Sequence, residues 1–149
     1  MSFYGSYPPT YLARAMALFP DVKYPDERLH AFSGSLPKGD YVRCDSVQDA
    51  ELRGRVEDLP RLTAGTFRLV LADPPYTKSD AEKYGTPPLN RRAALAALAE
   101  VTRSGGHLVW LDTVWPMHSK RDWRTVGRIL LVRSTNHRVR LVSLFERVA

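Results

Sequence analysis

The sequence predicts an α/β fold in which a mostly parallel sheet alternates with helices and ends in an antiparallel C-terminal hairpin. Three observations predict it. Residues 67–72 form a short, nearly continuous apolar run bounded by Gly65 and Pro74, the pattern of a central strand covered on both faces. Strand-like and helix-like patterns alternate through the middle of the chain. Residues 126–134 and 138–148 flank Thr135-Asn136-His137 at hairpin spacing.

In chain order, Pro8 and Pro9 extend the first segment, and Thr10 offers an N-cap to a short helix over 11–19. Leu12, Ala15, Met16 and Phe19 share its apolar face, and Pro20-Asp21 stops it. A strand fits 28–32 and ends in Ser33-Gly34-Ser35. Pro37-Lys38-Gly39-Asp40 is turn chemistry, and a second strand over 41–44 ends on Asp45. Residues 48–56 suit a helix weakened by Gly54. Residues 78–88 are polar and read as a surface loop. A helix over 89–103 places Leu95, Leu98, Val101 and Thr102 on one face and ends at Gly105-Gly106. Residues 107–111 form another buried strand, closing at Asp112.

Composition narrows the functional classes. The 149 residues suit one domain spanning 1–149, with no apolar run long enough to cross a bilayer. The first residues lack a signal-peptide pattern, and one cysteine, Cys44, cannot form an internal disulfide, so a cytoplasmic location is expected. His30, His107, His118 and His137 show no metal-ligand spacing, and no metal is expected. The net charge is +6, and its distribution is uneven. Residues 1–72 carry nine basic and nine acidic groups, leaving 13 and 7 to residues 73–149. That basic half suits an acidic partner, nucleic acid first, although a solvated basic surface has the same composition.

The chemistry concentrates at Asp73-Pro74-Pro75-Tyr76. Two prolines have fixed φ and no N–H, so the chain leaves its strand along a stiff path with the Pro74 carbonyl free to accept. Asp73 adds a carboxylate acceptor and Tyr76 a flat ring. Together they fit a planar base whose exocyclic amine donates to Asp73 and Pro74 while the ring stacks on Tyr76. Such an amine is a poor nucleophile because its lone pair is delocalised. Holding its hydrogens out of the ring plane localises that pair. The plainer reading is a strand-to-turn exit, since Asp-Pro is a common turn pair.

Residues 67–76, F-R-L-V-L-A-D-P-P-Y, resemble motif IV of the amino-methyltransferases that modify DNA adenine or cytosine and some RNA bases. The resemblance implies a Rossmann-like methyltransferase fold, S-adenosylmethionine as donor, and a flipped-out target base, with DNA adenine N6 the first expectation and RNA also open. It also implies a cofactor turn at Phe32-Ser33-Gly34, an acid for the ribose hydroxyls at Asp45, an acid near the adenine at Asp58, and a further contact from Tyr7.

The chain departs from that family at two points. Only Gly34 to Asp40 separates the first two strands, where the family has a helix. A parallel crossover needs a dozen or more residues, so the helix is absent or one strand is misplaced. These 149 residues leave no room for a target-recognition domain, so target selection is expected from loops or a protein partner. Lys78, Tyr84, Lys120, Arg121, Arg138 and Arg140, with Trp115 and Trp123 nearby, are the candidate nucleic-acid contacts. Trp115 and Trp123 also suit packing at the edge of the core. Arg91 and Arg92 are expected to face solvent, as are His118 and His137, and Cys44 to fill a small core position. An inactive methyltransferase-like binding protein is the competing reading.

Overall fold

The computed structural model describes residues 10–132 and 139–148. Tyr7, Arg138 and the hairpin turn at Thr135-Asn136-His137 lie outside the described residues. Seven strands form one sheet: β1 (Arg28–Ala31), β2 (Val42–Asp45), β3 (Leu52–Arg53), β4 (Phe67–Ala72), β5 (Thr102–Asp112), β6 (Trp123–Val132) and β7 (Val139–Arg147). The order across the sheet is β3-β2-β1-β4-β5-β7-β6. The first five strands pair in parallel, and β7 runs antiparallel to both β5 and β6. The α/β class, the parallel centre and the C-terminal hairpin strands are therefore as expected.

Alternate residues of the central strands feed two apolar layers, as strand geometry requires. On one face Leu29, Ala31, Val70, Ala72, Leu108 and Trp110 meet Leu95 and Leu98 of α4 (Arg91–Glu100). On the other, Leu69, Leu71, Val109 and Leu111 meet Tyr11 and Ala15 of α1 (Tyr11–Ala17). Leu12, Met16 and Phe19 pack against the same layer, so the predicted apolar face of the first helix is correct. Its predicted cap is not. Thr10 has φ 64° and makes no side-chain cap bond.

Three other local expectations are corrected. The stretch over 48–56 is not a helix; it holds the two-residue β3 and enters a 3-10 turn (Val56–Asp58) followed by α2 (Leu59–Leu62). Gly54 and the short apolar spacing favour the turn. Residues 78–88 are not all loop, because α3 spans Lys78–Tyr84. Thr77 accepts from the Asp80 amide, the Asp80 carboxylate accepts from the Thr77 amide, and Gly85 at φ 68° ends the helix. Gly105-Gly106 also falls inside β5 rather than after the helix, with the irregularity taken up between the Phe67–Thr102 and Leu69–His107 pairs.

The short connection between the first two strands resolves in favour of a missing helix. β1 and β2 are parallel neighbours, joined by the ten residues between Ala31 and Val42. His30 and Arg43, register partners in these strands, point to the α1 side of the sheet, opposite Leu29 and Cys44. Polar packing covers them where a helix would bring apolar side chains. Tyr41 packs edge-on against the buried His30 ring, 4.5 Å between centroids. Burial, with the charge of Arg28 second, lowers the His30 pKa to about 4 and keeps the ring neutral. The Arg43 guanidinium, also buried, bonds Glu51 at 2.6 Å and the Leu36 carbonyl at 2.9 Å. Gly39 leaves room for this packing, since a Cβ there would stand 2.9 Å from the Tyr41 ring and push it aside.

Candidate active site

Sheet order reverses between β1 and β4, and ligands of open α/β sheets bind beyond the carboxyl ends of the strands at such a switch point. Ala31 and Ala72 are register partners, so the turn at Phe32 and the loop at Asp73 leave adjacent strands at one level, about 4.8 Å apart. Cys44 pairs with Ala31, bringing Asp45 to the same level on the other side. Of the three acids at strand ends, the sequence points to Asp45 and Asp73 as site residues and marks Asp112 only as the end of a strand.

The β1 turn is built against a steric preference. Phe32 sits at φ 58° and Gly34 at φ 54°, both in the left-handed region. For phenylalanine that conformation costs about 1–2 kcal/mol. Its ring offsets the cost by packing against the core, edge-on to Trp110 at 6.0 Å. Fully buried Ser33 donates to the Cys44 carbonyl from its amide at 3.0 Å and its hydroxyl at 3.3 Å. The Gly34 amide donates to Asp45 Oδ2 at 2.8 Å, while the Val47 and Gln48 amides donate to Oδ1 at 2.9 and 2.7 Å. Three of the roughly four lone-pair directions of this carboxylate are thus filled by backbone. Among the described residues, one direction on Oδ2 has no donor.

At the β4 exit Pro74 is buried and Asp73 half-buried. Tyr76 donates its hydroxyl to Asp73 Oδ1 at 2.7 Å. The Arg140 guanidinium, from the start of β7, lies over the Tyr76 ring, 5.4 Å from its centroid. Desolvation raises the Asp73 pKa to about 7, assisted by the charge of Asp112 and opposed by the Tyr76 bond and Arg140. Burial and the Asp73 charge both push the Tyr76 phenol upward, so it stays protonated as a donor.

A second cluster braces this corner. Arg91 was expected to face solvent; instead its Nε and Nη2 donate to Asp112 Oδ2 and Oδ1 at 2.7 and 2.9 Å, and Nη2 donates to the Tyr76 carbonyl at 2.9 Å. Asp112 is fully buried and accepts also from Trp110 Nε1 and the Thr113 amide, at 2.9 and 2.7 Å. A carboxylate closing a buried strand was visible in the sequence. Its partner was not, because the partner begins a helix on another element.

The remaining candidates divide by position. Exposed Lys78 opens α3 directly after the Asp73 loop, and half-buried Tyr84 ends it. Asp58 pairs with Arg61 at 2.5 Å beside α2. Lys120 and Arg121, both exposed, precede β6 at the opposite end of the sheet. There Trp123 pairs with Arg147 and Arg124 with Glu146, whereas Asp112 pairs with Leu141. Five to six residues of strand separate these levels, about 17–20 Å. Trp123 is core, its Nε1 donating to the Leu95 carbonyl at 3.0 Å, and half-buried Trp115 lies under the Arg128 guanidinium at 5.0 Å. His118 is half-buried against Phe145 rather than free at the surface. Cys44 is fully buried, its thiol pushed up to about 12 by desolvation first. Among the described residues no cluster of histidine, cysteine and acids has the makings of a metal site, and no helix is long and apolar enough to cross a membrane.

No family model and no curated protein matches the sequence. Several solved structures match the fold. TrmN from Thermus thermophilus aligns over 92% of the chain at 14% identity with a TM-score of 0.59, and the chain spans 48% of that protein. The N-methyltransferase NodS from Bradyrhizobium japonicum aligns over 92% of this chain and 94% of its own, at 15% identity and a TM-score of 0.55. The same protein has been solved in complex with S-adenosyl-L-homocysteine. An rRNA methylase from Streptococcus thermophilus covers 96% of this chain and 98% of its own, at 11% identity and a TM-score of 0.51. At these identities the likeness is one of fold: the chain has the Rossmann-like architecture of these methyltransferases.

Proposed function

We propose that the protein transfers a methyl group from S-adenosylmethionine to an exocyclic amino group of a nucleic-acid base, with adenine N6 in DNA the first candidate and an RNA base the next. The observation that carries the reading is the register of Ala31 with Ala72. It sets a strained glycine-containing turn beside Asp73-Pro74-Pro75-Tyr76 at the switch point of a methyltransferase fold.

The residues at the ends of β1 and β2 are the proposed donor contacts. Phe32, Ser33 and Gly34 would lie under its methionine part, and the open direction on Asp45 Oδ2 would take one ribose hydroxyl. Asp58, and Tyr7 beyond the described residues, are the proposed adenine-side contacts. When bound, the donor supplies an electrophilic methyl group on a sulfonium that leaves as a neutral thioether. The chain does the rest. Asp73 Oδ2 and the Pro74 carbonyl accept the two amine hydrogens, and the Tyr76 ring supports the base. The amine nitrogen gains the methyl carbon and loses one proton. Asp73, with its carboxyl near 7, takes that proton and passes it to water. Arg140, over the Tyr76 ring, and Lys78 and Tyr84, at the two ends of α3, are proposed to hold the strand. A protein partner supplying target selection remains part of the proposal.

The second reading is a binding protein without transfer. The helix-free β1–β2 connection and the nearly filled Asp45 carboxylate favour it. Incubation with labelled donor and single-stranded DNA, duplex DNA or RNA, with calorimetry of donor and spent product, separates the two. Transfer to a base amine supports the enzyme. Nucleic-acid binding with neither transfer nor donor binding supports the alternative.

A further inference from the structure

We infer that Arg91, held by Asp112, is a positioning residue for the acceptor corner: it fixes the backbone at Tyr76 and ties that loop to the β1 turn. This rests on the proposed transfer.

The need for such a tie follows from the loop's own chemistry. Pro74 and Pro75 have no N–H, so two of the four residues between β4 and Thr77 offer no amide to hold the segment. An outside donor on the first carbonyl after the prolines adds a hold that the prolines cannot supply. Arg91 does so with one Nη2 hydrogen on the Tyr76 carbonyl, leaving Nε and the other Nη2 hydrogen for Asp112.

Asp112 is an anchor rather than a base. Four donors fill its lone pairs: Arg91 twice, Trp110 Nε1 and the Thr113 amide. A fully buried carboxylate with every acceptor direction occupied has none left for a substrate. It does set the guanidinium plane, because a bidentate pair fixes orientation as well as distance. Trp110 carries the connection onward, since its ring meets Phe32 edge-on at 6.0 Å and 88°. Phe32, Trp110, Asp112, Arg91 and Tyr76 therefore form one continuous chain of contacts between the two halves of the proposed site.

The test uses Arg91→Lys and the pair Arg91→Met with Asp112→Asn. The pair removes both charges, so it leaves no unpaired buried carboxylate, and the new amide oxygen accepts from either Trp110 Nε1 or the Thr113 amide, which donate to different oxygens of Asp112. Each is measured for kcat and KM on nucleic acid, for spent-product affinity, and for hydrogen exchange across residues 73–77. A displacement of the reacting group by about 1 Å costs about 100-fold in rate. The expected result is a kcat lowered about 100-fold in the pair, with KM and product affinity within about threefold. Lysine restores little of the loss, since it offers no fork. Faster exchange confined to the loop accompanies it. Single Arg91→Ala should regain at least tenfold in rate on adding millimolar guanidinium. Unchanged kcat in the paired variant, or unchanged exchange at 73–77, overturns the inference. An inactive wild type rejects the proposed transfer instead, and the exchange data then judge the tie alone.

Discussion

Tyr76 donates its hydroxyl to Asp73 Oδ1 at 2.7 Å, three residues back along the chain, while the Arg140 guanidinium covers its ring at 5.4 Å. One tyrosine thus touches both the acceptor carboxylate and a cation from β7. The bond stabilises the ionised form of Asp73 against the desolvation that raises it, leaving the carboxyl near neutrality. The corner is tuned as well as shaped.

The first prediction concerns pH. Asp73 accepts the amine hydrogens and the proton only when ionised, so kcat/KM should rise with pH to a plateau above about 7. A profile flat from pH 5 to 9 would count against this role. Asp73→Asn should lower kcat by at least 100-fold, with spent-product affinity unchanged.

The same carboxyl affects stability. Its folded pKa of about 7 lies above the ordinary 3.8, so the native state binds more protons than the unfolded state between those values. Stability therefore falls as pH rises through that window. Asp73→Asn should be more stable than wild type at pH 8, by about 1–2 kcal/mol once solvent access to the half-buried carboxyl is allowed for, and equal to it below pH 4. Urea denaturation at the two pH values checks this.

Tyr76→Phe keeps the ring and removes the donor. Asp73 loses the bond that holds its pKa down, so the rising limb of the profile should move to higher pH by about one unit. Tyr76→Ala should lose stacking too, about 1–3 kcal/mol of base affinity. Coincident profiles for Tyr76→Phe and wild type would argue against the bond in solution.

Position separates the basic residues. Arg140→Glu should weaken nucleic-acid binding, lower the salt dependence and slow transfer, because Arg140 stands over Tyr76. Lys120→Glu with Arg121→Glu should alter transfer less than twofold, since both lie at the opposite end of the sheet. A larger loss from the second pair would extend the binding surface around the molecule.

Asp45→Ala strips the acceptor from three backbone amides at Gly34, Val47 and Gln48. The expected cost is about 1–3 kcal/mol of stability, together with a loss of donor affinity. Thermal melts and calorimetry check both.

The sequence sufficed wherever a signal is local and periodic. The apolar run of β4, the proline-stiffened exit at Asp73 and the hairpin strands depend on neighbours a few residues apart, and each stands as read. The capping box Thr77–Asp80 was equally local, though a polar stretch concealed it. What only the tertiary structure decided involves partners far apart in the chain. Arg91 bonds Asp112 across 21 residues, Arg140 reaches Tyr76 across 64, and Lys120 lies a strand's length from the corner it was grouped with. Charge and spacing place no residue on one end of a sheet or the other. Strand order and register do, because each antiparallel turn reverses which end of a strand meets the site.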